Sequence, residues 1–524
     1  MTKKIKAKAK PQPKKVVLLI LDGWGLGEEN EGNAIYLAKT PFIDSLYKKY
    51  PWTKINASGR AVGLPPNQPG NSEAGHMNIG AGRVVNQDVV KISQQINTGL
   101  FFKNPAFIAA INHIKKAKSA LHIMGMISYD RSPHSDPDHL LALLTLARQH
   151  KVKNIYLHLF TDGRDSPPHS SLKLIEALER QLKPNERIAT VIGRYYAMDR
   201  KKNWSSTWWA YEAMTSGQGH KAKSPQEGIT RAYNANITDE FIEPIILYKN
   251  GRMIKRISDN DAIIFFNFRS DRARQMAKPF VQVDFETKNP HALKRKHVLK
   301  NILFVAMTDF GPDLDSILTA YPSEEVKDSL PLLLKHKSQV YVAEKEKYAH
   351  VTYFINGGYA DPVNGEQRRV IMSPVTTSSY NKTPAMSTPK VAQIVISSIK
   401  KYDFVCANIS SPDMIGHTGN LTAGIKAAEI VDKYIKKIYT EAMKQKAVLI
   451  ITADHGNLES MFNLQTKEII TEHTNNPVPF ILIDHGDLRR VKVRSDGGLS
   501  DIAPTVLKIF NIPKSKLMTG QSLI

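Results

Sequence analysis

The chain has 524 residues, room for two to four domains at about 150 residues each. Its 72 lysines and arginines against 49 acidic residues give a formal net charge of +23, while hydrophobic residues make up 42% and charged residues 23%. This composition is that of a folded protein and excludes bulk disorder and collagen-like repeats, and the single cysteine, Cys406, excludes an intrachain disulfide.

The first fifteen residues contain seven lysines and no acidic residue, which predicts a disordered basic tail. The apolar run that follows, 16–21, is too short for a secretory signal and far below the length of about 18 residues that crosses a bilayer. The positive charge that remains without this tail could favour an anionic partner such as nucleic acid, an acidic surface or a phosphorylated metabolite. Because no zinc finger or aromatic-interleaved basic motif accompanies it, we expect no obligate nucleic-acid partner. The single cysteine and the short apolar runs predict a cytoplasmic protein without a membrane partner, and we expect a monomer.

Short apolar runs alternate with segments of helical spacing, the pattern of an α/β fold with mostly parallel sheets. The clearest strand candidates, in chain order, are residues 16–21, 120–127, 154–160, 187–192, 261–268, 301–307, 403–408 and 447–452. Residues 138–150 and 170–182 place apolar side chains at helical intervals and predict helices.

The residues that follow these strand candidates fall into two chemical sets. Carboxylates and histidines follow the first run and the last two, whereas arginines follow the middle runs. Since the first set occurs at both ends of the chain, we expect two α/β domains, one inserted into the other, with linkers near 85–90 and 311–317 and an active site in the cleft between them. The predicted metal-binding domain comprises residues 16–87 and 318–524, and the inserted substrate-binding domain comprises residues 88–317.

Two groups of side chains are candidates for divalent cations. Asp413 and His417 are four residues apart, so on a helical turn they share a face, and with His473 they could hold one ion. The candidates for a second ion are Asp22, Asp454 and His455. Each residue taken singly has the simpler explanation of shaping a turn. Oxygen-rich ligation with imidazole suits manganese or magnesium, with zinc as an alternative, and two ions about 3.5–4 Å apart could support phosphoryl transfer.

Ser72 lies in the glycine-bracketed segment 70–76, where it is either a helix cap or a nucleophile. Local spacing alone favours the cap. A serine oxygen is a poor nucleophile at neutral pH unless a base or a metal lowers its pKa, so the second interpretation requires a metal bound to Ser72.

Five arginines follow apolar runs in the middle of the chain. They are Arg164, Arg194, Arg200, Arg269 and Arg272. Guanidinium groups bind phosphate and carboxylate through paired hydrogen bonds, so these residues predict a substrate that carries both groups. Asp165 is either an acid/base for a substrate hydroxyl or the partner of a neighbouring arginine in an ion pair.

Eight motifs together resemble the cofactor-independent phosphoglycerate mutases of the alkaline phosphatase superfamily. They are LDGWG at 21–25, GNSEAGH at 70–76, DGRD at 162–165, GRYYAMDR at 193–200, FRSDR at 268–272, EKYAHVT at 346–352, PDMIGH at 412–417 and ADHGN at 453–457. The resemblance covers residues 16–524, and the motifs at 193–200 and 346–352 are specific to this mutase within the superfamily. It implies an alkaline-phosphatase-like metal domain with a second α/β domain inserted into it.

The resemblance also implies an isomerase of glycolysis and gluconeogenesis that interconverts 2- and 3-phosphoglycerate. It would use two manganese ions, with magnesium, cobalt or zinc as substitutes, and no 2,3-bisphosphoglycerate. Ser72 would accept the phosphoryl group as phosphoserine, the glycerate would reorient, and the group would return to the other hydroxyl. Lys347 would neutralise the charge of the phosphoryl group, and Asp165 is the candidate acid/base.

The same resemblance assigns the remaining site residues. The first metal site would consist of Asp413, His417 and His473. The second would consist of Asp22, Ser72, Asp454 and His455. The substrate would be held by His134, Arg164, Asp165, Arg194, Arg200, Arg269, Arg272 and Lys347.

The chain departs from the family pattern in the segment 128–136. The family has a glycine pair and a His-Ser-His triplet here, whereas this chain reads SYDRSPHSD, with His134 as its one histidine. Ser270 replaces a proline, and the lysines at 201–202 replace a more acidic stretch. We expect neither replacement to abolish activity.

Two other functions remain open at this point. A phosphopentomutase or a simple phosphatase would share the metal residues but lack the full set of arginines and Lys347. An anion-binding protein without catalysis would use the positive charge alone, and its nucleic-acid binding would persist without metals.

Overall fold

The structure is a computed structural model that describes residues 14–129, 132–314, 316–374 and 377–524. The chain forms two compact units. The inserted unit comprises residues 88–323, and the discontinuous unit comprises the residues before and after it. The predicted basic tail lies outside the described residues as far as residue 13. Lys15 was placed in that tail, but its ammonium donates to the carbonyls of Ile399 and Lys400 at 2.7 and 2.9 Å, so it belongs to the ordered fold.

The strands of the described residues, in chain order, are β1 (Val16–Leu21), β2 (Trp52–Ile55), β3 (Leu121–Met126), β4 (Ile155–Thr161), β5 (Glu186–Gly193), β6 (His220–Ala222), β7 (Ile245–Lys249), β8 (Arg252–Met253), β9 (Ala262–Phe265), β10 (Leu303–Thr308), β11 (Ile317–Tyr321), β12 (Gln339–Glu344), β13 (Gln367–Ile371), β14 (Phe404–Ile409), β15 (Val448–Thr452) and β16 (Val478–Ile483).

The α-helices of the described residues are α1 (Ala34–Leu37), α2 (Pro41–Lys49), α3 (Ser72–Ala81), α4 (Asp88–Asn97), α5 (Pro105–Ala117), α6 (Pro137–Gln149), α7 (Ser171–Glu179), α8 (Arg194–Ala197), α9 (Trp204–Thr215), α10 (Pro225–Asn234), α11 (Ser270–Val281), α12 (Phe285–Lys288), α13 (Leu330–Leu333), α14 (Thr388–Ile399), α15 (Ser411–Gly416), α16 (Leu421–Lys444) and α17 (Ile502–Ile509). All eight predicted strands and both predicted helices are present, and the α/β class is confirmed.

The discontinuous unit is built on a seven-stranded sheet in the order β13-β12-β14-β1-β15-β16-β2. The central strands β14, β1 and β15 run parallel and are buried along their whole length, which explains their continuous apolar sequences. β16 runs antiparallel to both of its neighbours. The start of β16 therefore lies at the same edge of the sheet as the carboxyl ends of β1 and β15.

The inserted unit is built on a nine-stranded sheet in which β11, β10, β9, β3, β4 and β5 are parallel neighbours in that order. Alternate residues of β9 enter two different apolar clusters, with Ile264 in one and Ile263 and Phe265 in the other. Both faces of the sheet are thus covered, as parallel sheets require.

The second domain boundary differs from the prediction. A boundary after residue 317 would separate the first residue of β11 from the rest of that strand. In the structure, β11 pairs in parallel with β10 from Ile317 to Tyr321, so the whole strand belongs to the inserted unit, which ends at Ser323. β11 lies at the edge of the sheet and its first three residues are not fully buried, so its short run ILTAY is a weaker strand signal than the runs of the central strands.

A chain of buried polar side chains crosses the sheet of the inserted unit. His122 contacts His158 at 2.9 Å and Asp261 at 3.1 Å, and His158 contacts the hydroxyl of Thr190 at 2.9 Å. Burial lowers the pKa of both histidines, so both are neutral in the folded protein at neutral pH.

We therefore expect acid to destabilise the protein. Unfolded imidazoles take up protons at about pH 6.5 whereas the buried ones stay neutral, so the unfolded state binds more protons as the pH falls. The free energy of unfolding should be level above about pH 7 and fall below about pH 6.5, by up to about 1.4 kcal/mol per pH unit for each histidine. Urea titrations followed by tryptophan fluorescence from about pH 7.5 down to about pH 5 measure the slope. The slope should become shallower in His158→Gln, and an unchanged slope would contradict this origin.

Candidate active site

The carboxyl edge of the sheet in the discontinuous unit carries most of the predicted metal residues. Asp22 directly follows β1, and Asp454 and His455 follow β15. Asp413 and His417 lie on α15 and at its end, just after β14, with 3.4 Å between His417 Nε2 and the carboxylate of Asp413. Asp413 and His417 thus lie on the same face of the helical turn, as predicted. His473 lies in the segment that leads to β16.

Ser72 is the first residue of α3, but it does not cap the helix. The cap is Asn71, whose side-chain oxygen accepts a hydrogen bond from the amide of Ala74 at 2.8 Å. The capping role that spacing favoured for Ser72 is therefore wrong, because the preceding residue fills it. The Ser72 hydroxyl instead lies 2.9 Å from His455 Nε2 and 3.3 Å from Asp22 Oδ1.

Lys347 connects the serine to two carboxylates. Its buried ammonium donates at 2.7 Å to Ser72 Oγ, Asp22 Oδ1 and Asp413 Oδ2. Burial alone would lower the pKa of Lys347, but the carboxylates of Asp22 and Asp413 raise it above its usual value. Lys347 is therefore positively charged, and all three of its protons are directed to oxygen atoms of the cluster.

Asp413, His417 and His473 form a group with the chemistry of a metal site. Both imidazoles donate through Nδ1 to backbone carbonyls, His417 to Thr471 and His473 to Gly70, each at 2.8 Å. Their Nε2 atoms lie 3.1 Å apart and 3.4 and 3.2 Å from Asp413 Oδ1. Three acceptors so placed repel one another unless a cation or a proton lies among them.

A proton on His417 Nε2 can reduce the repulsion among these three acceptors. Burial lowers the pKa of His417, but its hydrogen bond to Asp413 and the negative charge of that carboxylate raise it overall. A divalent cation would satisfy all three acceptors at once, and the lone pairs already point toward one another. The residues therefore fit a metal ion.

A second group consists of Asp22, Asp454 and their imidazole neighbours. His455 Nε2 lies 3.5 Å from Asp22 Oδ1 and 3.5 Å from Asp454 Oδ2. Burial and the negative charge of Asp454 raise the pKa of Asp22 to about 7, and burial lowers the pKa of His455 to about 4. Asp22 and Asp454 are buried side by side, and their negative charges repel one another when both are ionised. A bound cation would remove this repulsion, so the pair favours one. This group also fits a metal ion.

His76 belongs to this cluster, although sequence reasoning gave it no role. It lies four residues after Ser72 on α3, with Nδ1 2.9 Å from the Ser72 carbonyl and 3.2 Å from Asp454 Oδ2. Asn408 completes the arrangement, because its amide lies 3.0 Å from His76 Nε2 and donates to Asp22 Oδ2 at 2.6 Å. The helical spacing of Ser72 and His76 was the signal that could have identified it.

The inserted unit holds a second cluster, centred on Arg194 at the carboxyl end of β5. The guanidinium of Arg194 donates to Asp162, to Asp165 at 2.5 Å, and lies 3.1 Å from His134 Nε2. Asp162, which directly follows β4, was not predicted as a site residue. It also accepts hydrogen bonds from the amides of residues 164 and 165 and therefore shapes the loop that presents them.

The other four predicted arginines lie in the segments after β4, β5 and β9: Arg164 just after β4, Arg200 beyond α8, and Arg269 and Arg272 at the start of α11. Arg200 and Arg269 both form ion pairs with Asp271, a carboxylate that sequence reasoning did not single out. Arg272 donates to the carbonyl of Met198 at 3.3 Å. Arg164 is more exposed and reaches Glu240 at 3.8 Å.

The arginines are close enough to influence one another. Partial burial, followed by the positive charges of Arg194, Arg200 and Arg164, lowers the pKa of Arg272. Four guanidinium groups that raise one another's electrostatic energy form a region of positive potential, which favours an anionic ligand. The predicted anion-binding set is therefore one cluster in the structure.

Asp165 is an ion-pair partner in this structure. Burial would raise the pKa of Asp165, but the hydrogen bond and the positive charge of Arg194 lower it overall. It is thus a carboxylate that can accept a proton and has none to donate. Its side chain is partly exposed, so it remains open to a ligand.

His134 is buried, with Nε2 3.5 Å from Asp165, and its Nδ1 has no hydrogen-bond partner among the residues that the structure describes. Burial and the positive charge of Arg194 lower its pKa to about 4, so its ring is neutral. Its segment is closed by a hydrogen bond of 2.9 Å between the hydroxyls of Ser128 and Ser135. Residues 130 and 131 of the unusual segment lie outside the described residues.

Comparison with known proteins shows the family of the chain. A relative from Moorella thermoacetica, named 2,3-bisphosphoglycerate-independent phosphoglycerate mutase, is 44% identical over 513 residues, which are 97% of this chain and 98% of the relative. A relative from Methanosarcina barkeri with the name 2,3-bisphosphoglycerate-independent phosphoglycerate mutase 1 is 46% identical over 98% of both chains. The chain belongs to this mutase family. It is an enzyme, and the family predicted from its motifs is confirmed.

Two further comparisons support the same conclusion. The family model described as BPG-independent PGAM N-terminus matches residues 92–312, which lie within the inserted unit. The solved structure of Leishmania mexicana phosphoglycerate mutase at low cobalt concentration has a TM-score of 0.73 and 28% identity, and it covers 98% of this chain and 97% of its own. Within the described part of this mutase, no helix has both the length and the apolar character of a membrane span.

Proposed function

We propose that this mutase interconverts 2- and 3-phosphoglycerate by transferring the phosphoryl group to Ser72 and back, without 2,3-bisphosphoglycerate. The position of the Ser72 hydroxyl carries the proposal. The hydroxyl is free of the capping role and lies 2.7 Å from the charged ammonium of Lys347 and 2.9 Å from the neutral imidazole of His455. A serine hydroxyl held beside a charged ammonium and an imidazole is placed to act as a nucleophile when a metal or a base lowers its pKa.

In the first step, Ser72 Oγ forms a bond to phosphorus and loses its proton, while the bond between phosphorus and the glycerate oxygen breaks. The freed glycerate oxygen takes up a proton, so the step is balanced. Lys347 offsets negative charge on the transferred group, and the amino end of α3 adds a favourable dipole. The second step reverses the first on the other glycerate hydroxyl.

We propose that two divalent cations bind the discontinuous unit. Asp413, His417 and His473 would hold one, and Asp22, Ser72, Asp454 and His455 would hold the other. Such ions would stabilise the charge of the phosphoryl group and lower the pKa of the serine. Manganese suits the mixed carboxylate and imidazole set, with magnesium, cobalt or zinc as substitutes. The low cobalt concentration in the description of the Leishmania mexicana structure supports a transition-metal ion.

We propose that the arginine cluster of the inserted unit binds the glycerate part of the substrate. The binding residues are His134, Arg164, Asp165, Arg194, Arg200, Arg269 and Arg272. As an ionised carboxylate, Asp165 can accept the proton that a glycerate hydroxyl loses when the phosphoryl group returns. We further propose that the enzyme acts as a cytoplasmic monomer in glycolysis and gluconeogenesis and needs no macromolecular partner.

The proposal is tested by incubating metal-free protein with 3-phosphoglycerate and coupling product formation to enolase. Activity should appear on addition of MnCl₂, disappear with a chelator, and be unaffected by 2,3-bisphosphoglycerate. Release of inorganic phosphate as the main product would indicate a phosphatase. Salt-sensitive DNA binding that persists without metal, with no isomerisation, would indicate a non-catalytic anion-binding protein.

Arg200→Lys should weaken substrate binding. A lysine ammonium cannot reproduce the two parallel hydrogen bonds of a guanidinium, so we expect KM to rise about tenfold, which corresponds to one lost charged hydrogen bond. Steady-state kinetics in both reaction directions measure this rise.

Arg231→Lys is the matched control, because Arg231 lies in the same unit and forms an exposed ion pair with Glu227. Its KM should equal that of the wild type. An unchanged KM in Arg200→Lys would remove Arg200 from the binding set.

A further inference from the structure

Glu459 is a buried carboxylate that joins three loops of the discontinuous unit. It is 3% exposed. Its Oε2 accepts hydrogen bonds from the backbone amides of Gly25 and Asn457 at 3.0 and 2.8 Å. Its Oε1 accepts from the hydroxyl of Thr474 and from the amide of Asn476, the latter at 3.0 Å. All four partners are neutral donors.

Each of these loops carries a proposed metal ligand. Gly25 lies three residues after Asp22 in the loop that follows β1. Asn457 lies in the turn of Asp454 and His455 after β15. Thr474 directly follows His473 in the segment before β16. Gly25 is 434 residues from Glu459 in the chain, whereas Thr474 is 15 residues from it. A single side chain that binds all three loops constrains the distances among their proposed ligands.

Asn457 extends this connection to a fifth proposed ligand, Asp413. Its backbone amide donates to Glu459 Oε2, and its side-chain amide donates to Asp413 Oδ1, each at 2.8 Å. Asp413 is the carboxylate that faces both His417 and His473. Rotation of the Asn457 peptide would therefore displace a ligand oxygen directly.

The backbone at two glycines packs closely against the carboxylate of Glu459. A Cβ on Gly25 would lie 2.3 Å from its carboxylate, and a Cβ on Gly456 would lie 2.2 Å from its Oε1. Neither glycine has a positive φ, so lack of space rather than backbone conformation explains why these positions have no side chain. The backbone is thus in direct contact with the carboxylate on two sides.

We infer that Glu459 is a positioning residue that sets the divalent-cation affinity of the proposed metal centre by holding the three ligand loops in register. Residues behind metal ligands typically change metal affinity 10–100-fold when replaced. The inference rests on the proposed function, because it takes Asp22, Asp413, Asp454, His455 and His473 as metal ligands.

The test is calorimetric titration of metal-free protein with MnCl₂, together with thermal unfolding of the metal-free forms. Glu459→Gln keeps the size of the side chain but turns one acceptor oxygen into a donor that faces other donors. We expect its Mn²⁺ dissociation constants to rise about 10–100-fold. Thr474→Val, which removes one of the four hydrogen bonds, should show a smaller rise and decides the question if Glu459→Gln does not fold.

Asp432→Asn is the matched control. Asp432 is a buried carboxylate of the same unit that accepts from the backbone amides of Ile43 and Phe42 at 2.7 and 3.4 Å. This variant should lose stability but bind Mn²⁺ as the wild type does. Wild-type affinity in Glu459→Gln or, if that variant does not fold, in Thr474→Val would overturn the inference, and so would an equal loss in Asp432→Asn. Failure of the wild type to bind Mn²⁺ would instead overturn the proposed function itself.

Discussion

Ser72→Ala is expected to lower kcat by at least about 10⁴-fold while the protein keeps its fold, because only the proposed phosphoryl acceptor is removed. The helix should remain intact, since Asn71 caps it. The enolase-coupled assay measures the loss. Mass spectrometry of acid-quenched wild-type enzyme under turnover should detect one added phosphoryl group on the peptide that contains Ser72, and none in the variant.

Ser329→Ala is the control for this prediction. Ser329 is also buried in the discontinuous unit, and its hydroxyl donates to the carbonyl of Asn356 at 2.8 Å. This variant should lose about 1 kcal/mol of stability from one hydrogen bond and keep its activity. Substantial turnover by Ser72→Ala would rule out covalent transfer through this serine.

Lys347→Met is expected to have the second largest effect. Removal of the ammonium leaves the buried carboxylates of Asp22 and Asp413 without their partner, at a cost of about 3–5 kcal/mol in the metal-free protein. Mn²⁺ should recover more stability in this variant than in the wild type, because the cation then neutralises those carboxylates. The kcat of the metal-loaded variant should fall about 10²–10³-fold, the usual effect of losing one donor to the transition state.

Lys255→Met tests whether the loss of kcat and the additional stabilisation by Mn²⁺ are specific to the candidate active site. Lys255 pairs at 3.0 Å with the buried carboxylate of Asp261, which also accepts from Ala120 and Ser258. Because those donors remain, the variant should be less destabilised, keep its kcat and show no excess stabilisation by Mn²⁺. If Mn²⁺ stabilises Lys347→Met no more than the wild type, the carboxylates are not metal ligands.

The fold and much of the candidate site could be predicted because long parallel strands are buried on both faces and read as apolar runs. Asp22 follows β1 directly and Asp454 lies two residues after β15, so the sequence alone predicted that these proposed metal ligands share one edge of a sheet. The four-residue spacing of Asp413 and His417 was equally informative, since helical geometry turns spacing into proximity.

Other features could not be predicted because they depend on contacts between distant segments. β16 contains Pro479, a residue that argues against an interior strand, and its pairing with β2 and β15 appears only in the folded sheet. Lys347 follows β12, which was not predicted, and entered through the family resemblance alone. Asp162 and Asp271 lie within the motifs at 162–165 and 268–272, but the sequence does not show that arginines of other segments contact them. Glu459 lies outside all eight motifs, and only the folded structure shows its hydrogen-bond partners.

The discontinuity of the sheet constrains when the enzyme can become active during synthesis. β1 leaves the ribosome early, but its two neighbours, β14 and β15, are translated only after the whole inserted unit. The inserted unit is one continuous segment and can fold once it has been synthesised. The cluster around Asp22 and Ser72, by contrast, is incomplete until residues near the carboxyl end of the chain have been translated. A nascent chain released prematurely would thus carry the arginine cluster without any complete centre for phosphoryl chemistry.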